Sequence, residues 1–379
     1  MEMTTMTKHL PLSTPHMSDE GFELEIIHDA FQKNWIAPLG EKVTAFENDI
    51  AAYTGAAYPV ALSAGTAALH LSMILSGVKA GDMVFCQDIT FSASANPIAY
   101  LGAEPVFIDS DSTTWNMDPK ALRRAIELYG APKAVVGVHL YGNPARMDVI
   151  VSICSEHGIA LIEDAAEALG SEYHDRKCGS FGDFGVLSFN GNKIITTSGG
   201  GMLLCANEAD AKHALKLATQ AREPFPWYQH EEIGYNYRMS NICAGIGRGQ
   251  AKVLPLRVSQ KRAIFDRYAE NLKGLPLTLQ TQEEGTLSNR WLTAGVLHKD
   301  SGITPDDLMA ALKNANMEGR HLWKPMHAQP VFKDAKFVTA GGGSVSDDLF
   351  SRGFCLPSDS KMTMEEVDRV CAVIRSLFE

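Results

Sequence analysis

Lys193 follows the turn residues Asn190, Gly191 and Asn192, which end a run containing the apolar Val186, Leu187 and Phe189. A lysine on a turn after a buried strand sits near the edge of a core. Partial desolvation there disfavours a charged ammonium, and a neutral amine is a nucleophile able to form a Schiff base with a carbonyl. Ser188, just upstream, can donate to a phosphate. The small residues Thr196, Thr197, Ser198 and Gly199 to Gly201 leave room for another group to approach the backbone. A lone lysine of this kind would be an ordinary solvated side chain, so the reading rests on its neighbours.

A carboxylate pair lies upstream. Ile159 to Ile162 reads as a strand buried on both faces, with Glu163 and Asp164 at its carboxyl end. Ligands of open parallel sheets bind outside that edge. Asp164 there could hold the protonated pyridine nitrogen that pyridoxal phosphate requires. Equally, Asp164 before AAEAL could cap a helix. Gly65 and Thr66 in SAGTAAL follow another strand and open a helix. Its free N–H groups can bind phosphate, or the segment is a capped helix that binds nothing. Thr90 and Phe91 follow a third strand end; Phe91 could stack on a cofactor ring or fill the core.

These residues need a sheet to hold them. Strands are expected at Pro59–Leu62, Met83–Cys86, Pro105–Ile108, Ala134–Val138, Ile159–Ile162, Gly185–Phe189 and Gly201–Cys205, alternating with helical segments. This is the pattern of a mostly parallel α/β sheet, and no GxGxxG follows the first strand. Helices are expected over 22–33, in the stretch ending near Gly55, and over 261–273 with Ile264, Tyr268 and Leu272 on one face. Residues 206–260 read as a connecting region, with an aromatic-rich irregular stretch that is too long to be idle. Gly245, Gly247 and Gly249 suggest a close-packed helix within it. Thr304–Pro305 and the Thr363/Glu366 pair announce two later helices, the second over 364–378. The large domain is expected to span 1–255 and the small one 256–379.

A net charge of −11 argues against nucleic acid or an anionic membrane as partner. No stretch is apolar enough to span a bilayer, and the polar first residues, expected to be mobile over 1–10, lack a signal-peptide core. Seven scattered cysteines without a CxxC pair suggest reduced thiols and a cytoplasmic protein, with no zinc site. The HLWKPMH segment at 321–327 reads as a substrate-facing loop; a plain surface loop is the alternative.

Five stretches together resemble the DegT/DnrJ/EryC1/StrS family: SAGTAALHL, TFSASANPIAYLGAEPVFID, IEDAAEALGS, SFNGNK and GYNYRMSN, in family order from about Pro11 onward. The resemblance implies an aspartate-aminotransferase-type (fold type I) architecture, with a large mostly parallel sheet domain and a smaller α+β carboxyl-terminal domain. It implies pyridoxal 5'-phosphate on Lys193, with Asp164 at the ring nitrogen, Phe91 on the ring, Glu167 near the ring hydroxyl, and Gly65, Thr66 and Ser188 at the phosphate. It implies a homodimer whose active site is shared, Asn236 reaching the partner's phosphate site. Arg238, Trp323, Lys324 and His327 are then the candidates for substrate binding. SFNGNKIITTSGGG and RHLWKPMH are similar to enzymes that transaminate UDP-linked 2-acetamido-4-keto-6-deoxy sugars of the UDP-N-acetylbacillosamine type, with glutamate as donor. GDP-4-keto-6-deoxymannose (perosamine-type) and dTDP-4-keto sugars are the alternative substrates. A sugar dehydratase or a non-catalytic sensor on the same fold would lack Lys193 or Asp164, and both residues are present.

Overall fold

The apolar runs become strands because each is buried on both faces of one sheet. In this computed structural model residues 8–379 are described. The chain runs α1 (Phe22–Gln32), α2 (Glu41–Thr54), β1 (Tyr58–Leu62), α3 (Gly65–Leu75), β2 (Met83–Gln87), α4 (Asn96–Tyr100), β3 (Glu104–Ile108), α5 (Pro119–Tyr129), β4 (Ala134–Val138), α6 (Met147–His157) and β5 (Ala160–Asp164). After the short β6 (Glu172–Tyr173) and β7 (Arg176–Lys177) come β8 (Phe184–Ser188), β9 (Gly201–Cys205), α7 (Glu208–Ala218) and α8 (Asn241–Asn271). The remainder holds β10 (Leu277–Leu279), β11 (Thr286–Leu287), β12 (Thr293–Leu297), α9 (Pro305–Asn314), β13 (Arg320–His321), β14 (Lys336–Val338), α10 (Val345–Arg352), β15 (Gly353–Leu356) and α11 (Met364–Arg375).

The large sheet has eight strands in the order β1-β9-β8-β5-β4-β2-β3-β14. Only β9 runs against the others, pairing antiparallel with both β1 and β8. Helices cover both faces, and Val84, Cys86, Val136 and Ile162 on one side and Phe85, Val135 and Leu161 on the other are almost fully buried. The small sheet, β10-β12-β15-β13, packs its core of Phe354, Leu356 and Leu297 against α8, α9 and α11. Both expected capping boxes form, Thr304 with Asp307 and Thr363 with Glu366.

Three features depart from the sequence reading. First, the helix around Gly245 to Gly249 and the one expected over 261–273 are a single α8, which carries the chain through 255/256 without a break, past Pro255. Glycine and proline lower helix propensity by about 1 and 3 kcal/mol each, so this stretch looks poor by itself. Packing overrides propensity: a Cβ on Gly247 would stand 2.6 Å from the Phe46 ring, and one on Gly249 2.7 Å from the Glu23 nitrogen. The glycines therefore let α1 and α2 close on α8. Second, the two units exchange segments. β14 joins the large sheet beside β3, while Leu10, 1% exposed, packs in the small-domain core. The mobility expected for residues 1–10 thus fails at Leu10, and residues 1–7 lie outside the described part. Third, no helix follows Asp164; residues 165–171 form turns. The Asn289 amide donates to the Glu167 and Leu169 carbonyls (2.8 and 2.9 Å), pinning the segment in that form.

Among the described residues no helix is long and apolar enough to cross a membrane. All seven cysteines are free thiols.

Candidate active site

Parallel strands deliver their carboxyl ends to one edge, and the site is assembled there. A cleft of about 470 Å³ is lined by Gly65 and Thr66 after β1, Thr90 and Phe91 after β2, Asp164 at the end of β5, and Ser188 at the end of β8. Lys193 and Glu167 also line it, with Trp291 and Trp323 from beyond α8. A larger, more open cleft of about 980 Å³ lies at the opposite edge of the sheet and contains none of these residues.

At one end of the cleft is a cradle for an anion. Helix α3 starts at Gly65 after the extended Ala64, and no side chain caps it, so its first N–H groups stay available. Gly65 lets Ser188 come close to the helix terminus: a Cβ there would lie 3.1 Å from the Ser188 Cβ and 3.4 Å from its Oγ, a tight contact.

Asp164 is 5% exposed. Its Oδ2 accepts from Ser94 Oγ at 2.7 Å and its Oδ1 from the Ala166 N–H at 3.1 Å. Ser94 Oγ is also 2.6 Å from Thr90 Oγ1. The neighbouring Glu163 serves structure: it accepts from the backbone of Gly179, Phe181 and Gly182 and from His139 Nε2. With Cys178 these two form a buried group of metal-ligand types. His139 Nδ1 already accepts from the Ala145 N–H, so the cluster is a satisfied hydrogen-bond network.

Glu167 points into the cleft. Its Oε2 accepts from the Tyr141 N–H at 2.7 Å, while its buried Oε1 has no hydrogen-bond partner. The nearest cation is Lys193 Nζ, 3.6 Å away, beyond hydrogen-bond length. Burial pushes the Glu167 carboxyl up to about 7, against the pull of Lys193 and of the Tyr141 N–H. Lys193 Nζ also lies 4.3 Å from the centre of the Trp291 ring. Trp291 Nε1 donates to the Asn192 carbonyl at 2.7 Å, holding the loop just before Lys193.

The cleft mouth is aromatic. The Phe91 ring, 58% exposed, stands 5.4 Å from Trp323, which stands 5.5 Å from Tyr141. Arg320 and His321 of β13 line the same mouth, and His321 is 3.0 Å from Asp306. Of the four residues expected to bind substrate, only Trp323 lines the cleft. Arg238 does not. It bridges Leu62 through the backbone, and its guanidinium is buried on Glu47 and on the Ala61 carbonyl (2.5 and 2.9 Å). His327 is held by Asp88 at 2.8 Å and stacks on Phe337 at 3.9 Å. Lys324 is exposed and outside the lining. Asn236 is exposed, bridges Thr219 and lies outside its own cleft. His321 lines the mouth as expected of the HLWKPMH loop, and Arg320 directly precedes it. Sequence reasoning singled out neither Ser94, though it lies within TFSASANPIAYLGAEPVFID, nor Trp291, which is far from every motif.

The model of the DegT/DnrJ/EryC1/StrS aminotransferase family matches residues 18–375. The chain belongs to that family. It is 52% identical over 379 residues to EpsN of Bacillus subtilis, a protein assigned to the pyridoxal phosphate-dependent aminotransferases, covering 98% of this chain and 97% of that one. It is 32% identical to the GDP-perosamine synthase of Vibrio cholerae over 97% of this chain and 99% of that one. The crystal structure of the aminotransferase TlmJ from Streptoalloteichus hindustanus matches with a TM-score of 0.87 at 28% identity, over 97% of this chain and 98% of that one. The family fold and its cofactor, pyridoxal phosphate, apply to this chain. The cleft fits that group: an uncapped helix terminus beside Ser188, a buried carboxylate at Asp164, an amine at Lys193, and an orphaned carboxyl oxygen at Glu167.

Proposed function

We propose that the protein is a homodimeric, cytoplasmic aminotransferase acting on a nucleotide-linked 4-keto sugar. One observation carries the reading: Lys193 Nζ faces Glu167 Oε1 at 3.6 Å in the cleft that also holds Asp164, Ser188 and the free terminus of α3. When bound, pyridoxal phosphate supplies the electron sink that allows an amino group to pass from an amino acid to a ketone. Lys193 would hold the cofactor at rest and, once freed, act as the base that moves the substrate proton. Asp164, braced by Ser94, would keep the ring nitrogen protonated. Ser188, Gly65 and Thr66 would hold the phosphate, and Asn236 of one protomer would complete that contact in its partner. Phe91 and Trp323 would shield the ring and the sugar from water.

The substrate we infer is a UDP-linked 2-acetamido-4-keto-6-deoxy sugar, with glutamate as donor. The forms SFNGNKIITTSGGG and RHLWKPMH support it, and Arg320 at the mouth is suited to a diphosphate because its planar fork binds two oxygens. A second reading, GDP-4-keto-6-deoxymannose, is favoured by the GDP-perosamine synthase relative. Borohydride reduction followed by peptide mapping is expected to trap the cofactor on Lys193, and Lys193→Ala to abolish transamination in a folded protein. A label on another lysine would remove the assignment. Steady-state kinetics then separate the sugars. A higher kcat/KM for the GDP sugar, or for a dTDP sugar without the acetamido group, rejects the UDP substrate and leaves the transaminase.

A further inference from the structure

Trp291 comes from the chain beyond α8, yet it touches the reacting end of the site. It sits in a turn whose parts reach both halves of the cleft. Asn289 is fully buried; its amide nitrogen holds the carbonyls of Glu167 and Leu169, and its Oδ1 accepts from the Trp291 N–H at 2.9 Å. Arg290 between them adopts a left-handed conformation, φ 55°, which turns the Trp291 side chain back toward the large sheet. The Trp291 carbonyl accepts from the buried Lys261 ammonium group at 3.1 Å, fixing the turn from behind. At the front the indole makes two different contacts. Its Nε1–H ties down the Asn192 carbonyl at 2.7 Å, and its ring face meets Lys193 Nζ at 4.3 Å. The face of an indole is its electron-rich side and attracts an ammonium more strongly than any other side-chain ring.

We propose that Trp291 is a positioning residue for transamination, parking the Lys193 side chain over its ring whenever the lysine amine is free of the cofactor and protonated. Lys193 must leave the cofactor and return in every cycle. An amine swinging on a flexible four-carbon stem would otherwise sample the whole cleft. The ring supplies one resting place, and the hydrogen bond to Asn192 limits how far the backbone beneath Lys193 can drift. The inference rests on Lys193 being the cofactor lysine, which borohydride mapping of the unmodified protein tests separately.

The test uses the full-length protein carrying pyridoxamine phosphate, in which Lys193 is free. Acetic anhydride labels amines in their neutral form. Labelling of Lys193 is counted by peptide mapping against the exposed Lys324 as an internal standard. Trp291→Leu removes the ring and is expected to raise the relative labelling of Lys193 about two- to fivefold. Trp291→Phe keeps a weaker ring without the N–H and is expected to fall between. Trp291 is 2% exposed in the core, so a protein containing fluorinated tryptophans is prepared as well. Fluorine withdraws charge from the ring face with little change in volume, and labelling is expected to rise with each added fluorine. That series decides the matter even where Trp291→Leu does not fold. Labelling that stays constant across the fluorinated proteins overturns the proposal; if Trp291→Leu alone rises, the ring merely blocks access to Lys193.

Discussion

Glu167 Oε1 stands 3.6 Å from Lys193 Nζ and has no hydrogen-bond partner of its own. The contact joins the two halves of the site, one from the turn after β5 and the other from the loop after β8. Burial raises the Glu167 carboxyl to about 7, and Lys193 restrains the rise.

The first prediction is a pH dependence. Glu167 moves from an ordinary value of 4.5 to about 7 in the folded chain. The folded state therefore binds that proton more tightly than the unfolded state. Its contribution to stability is present below 4.5 and is lost as pH rises through about 7. The full effect is bounded at roughly 3 kcal/mol. Urea unfolding of the cofactor-free chain at pH 5 and pH 8 should show the loss, and Glu167→Gln should flatten it. Equal slopes in the two proteins would mean that Glu167 is not the group responsible.

Ser94 offers a graded test of Asp164. Asp164→Asn should nearly stop turnover, because no charge then remains to stabilise a ring proton. Ser94→Ala removes only the hydrogen bond that braces Asp164 Oδ2 at 2.7 Å. A hydrogen bond to a charged group is worth about 1.5–3 kcal/mol, so kcat should fall by roughly ten- to a hundredfold, and chemical denaturation should show a loss of about 1–3 kcal/mol because a buried carboxylate oxygen loses its donor. Full activity in both variants would reduce Asp164 to a turn residue.

Arg238 should behave as a structural residue. Its guanidinium is buried on Glu47 and the Ala61 carbonyl. Arg238→Met leaves the Glu47 carboxylate largely buried without its cation, and removing one partner of a buried pair costs about 3–5 kcal/mol. Chemical denaturation should show a loss near the lower end of that range, because Glu47 still accepts the Ala61 N–H. A stable variant with a sharply raised KM for the nucleotide sugar would return Arg238 to the substrate site.

Asn236 tests the shared site. It is exposed and lies outside its own cleft. Lys193→Ala and Asn236→Ala protomers should each be nearly inactive alone. Mixed one to one and allowed to exchange, they should recover about a quarter of normal activity, since half the dimers are mixed and each keeps one intact site. Exchange without recovery would exclude this form of sharing.

The sequence alone determined whatever is local or periodic. Buried strands such as Ala134–Val138 and Gly201–Cys205 were legible to the residue because a strand covered on both faces must be apolar throughout. Lys193, Asp164, Ser188 and Gly65 each end or follow such a strand at the edge where ligands bind, but it was the resemblance over five stretches that set a cofactor role above a helix cap or a solvated side chain. The capping residues Thr304 and Thr363 were legible because a cap acts within one turn. Tertiary structure alone decided what depends on distant partners. The AAEAL segment has helical composition, yet Asn289 takes its carbonyls and Glu167 is turned inward to Tyr141 and Lys193. The glycine-rich start of α8 is a poor helix until α1 and α2 press against it. Arg238 and His327 looked like free cations, but Glu47 and Asp88 neutralise them, and Trp291 reaches Lys193 only because the chain returns from beyond α8. Local free energies of about a kcal/mol per residue cannot outweigh a buried hydrogen bond or a close-packed ring that the folded chain supplies.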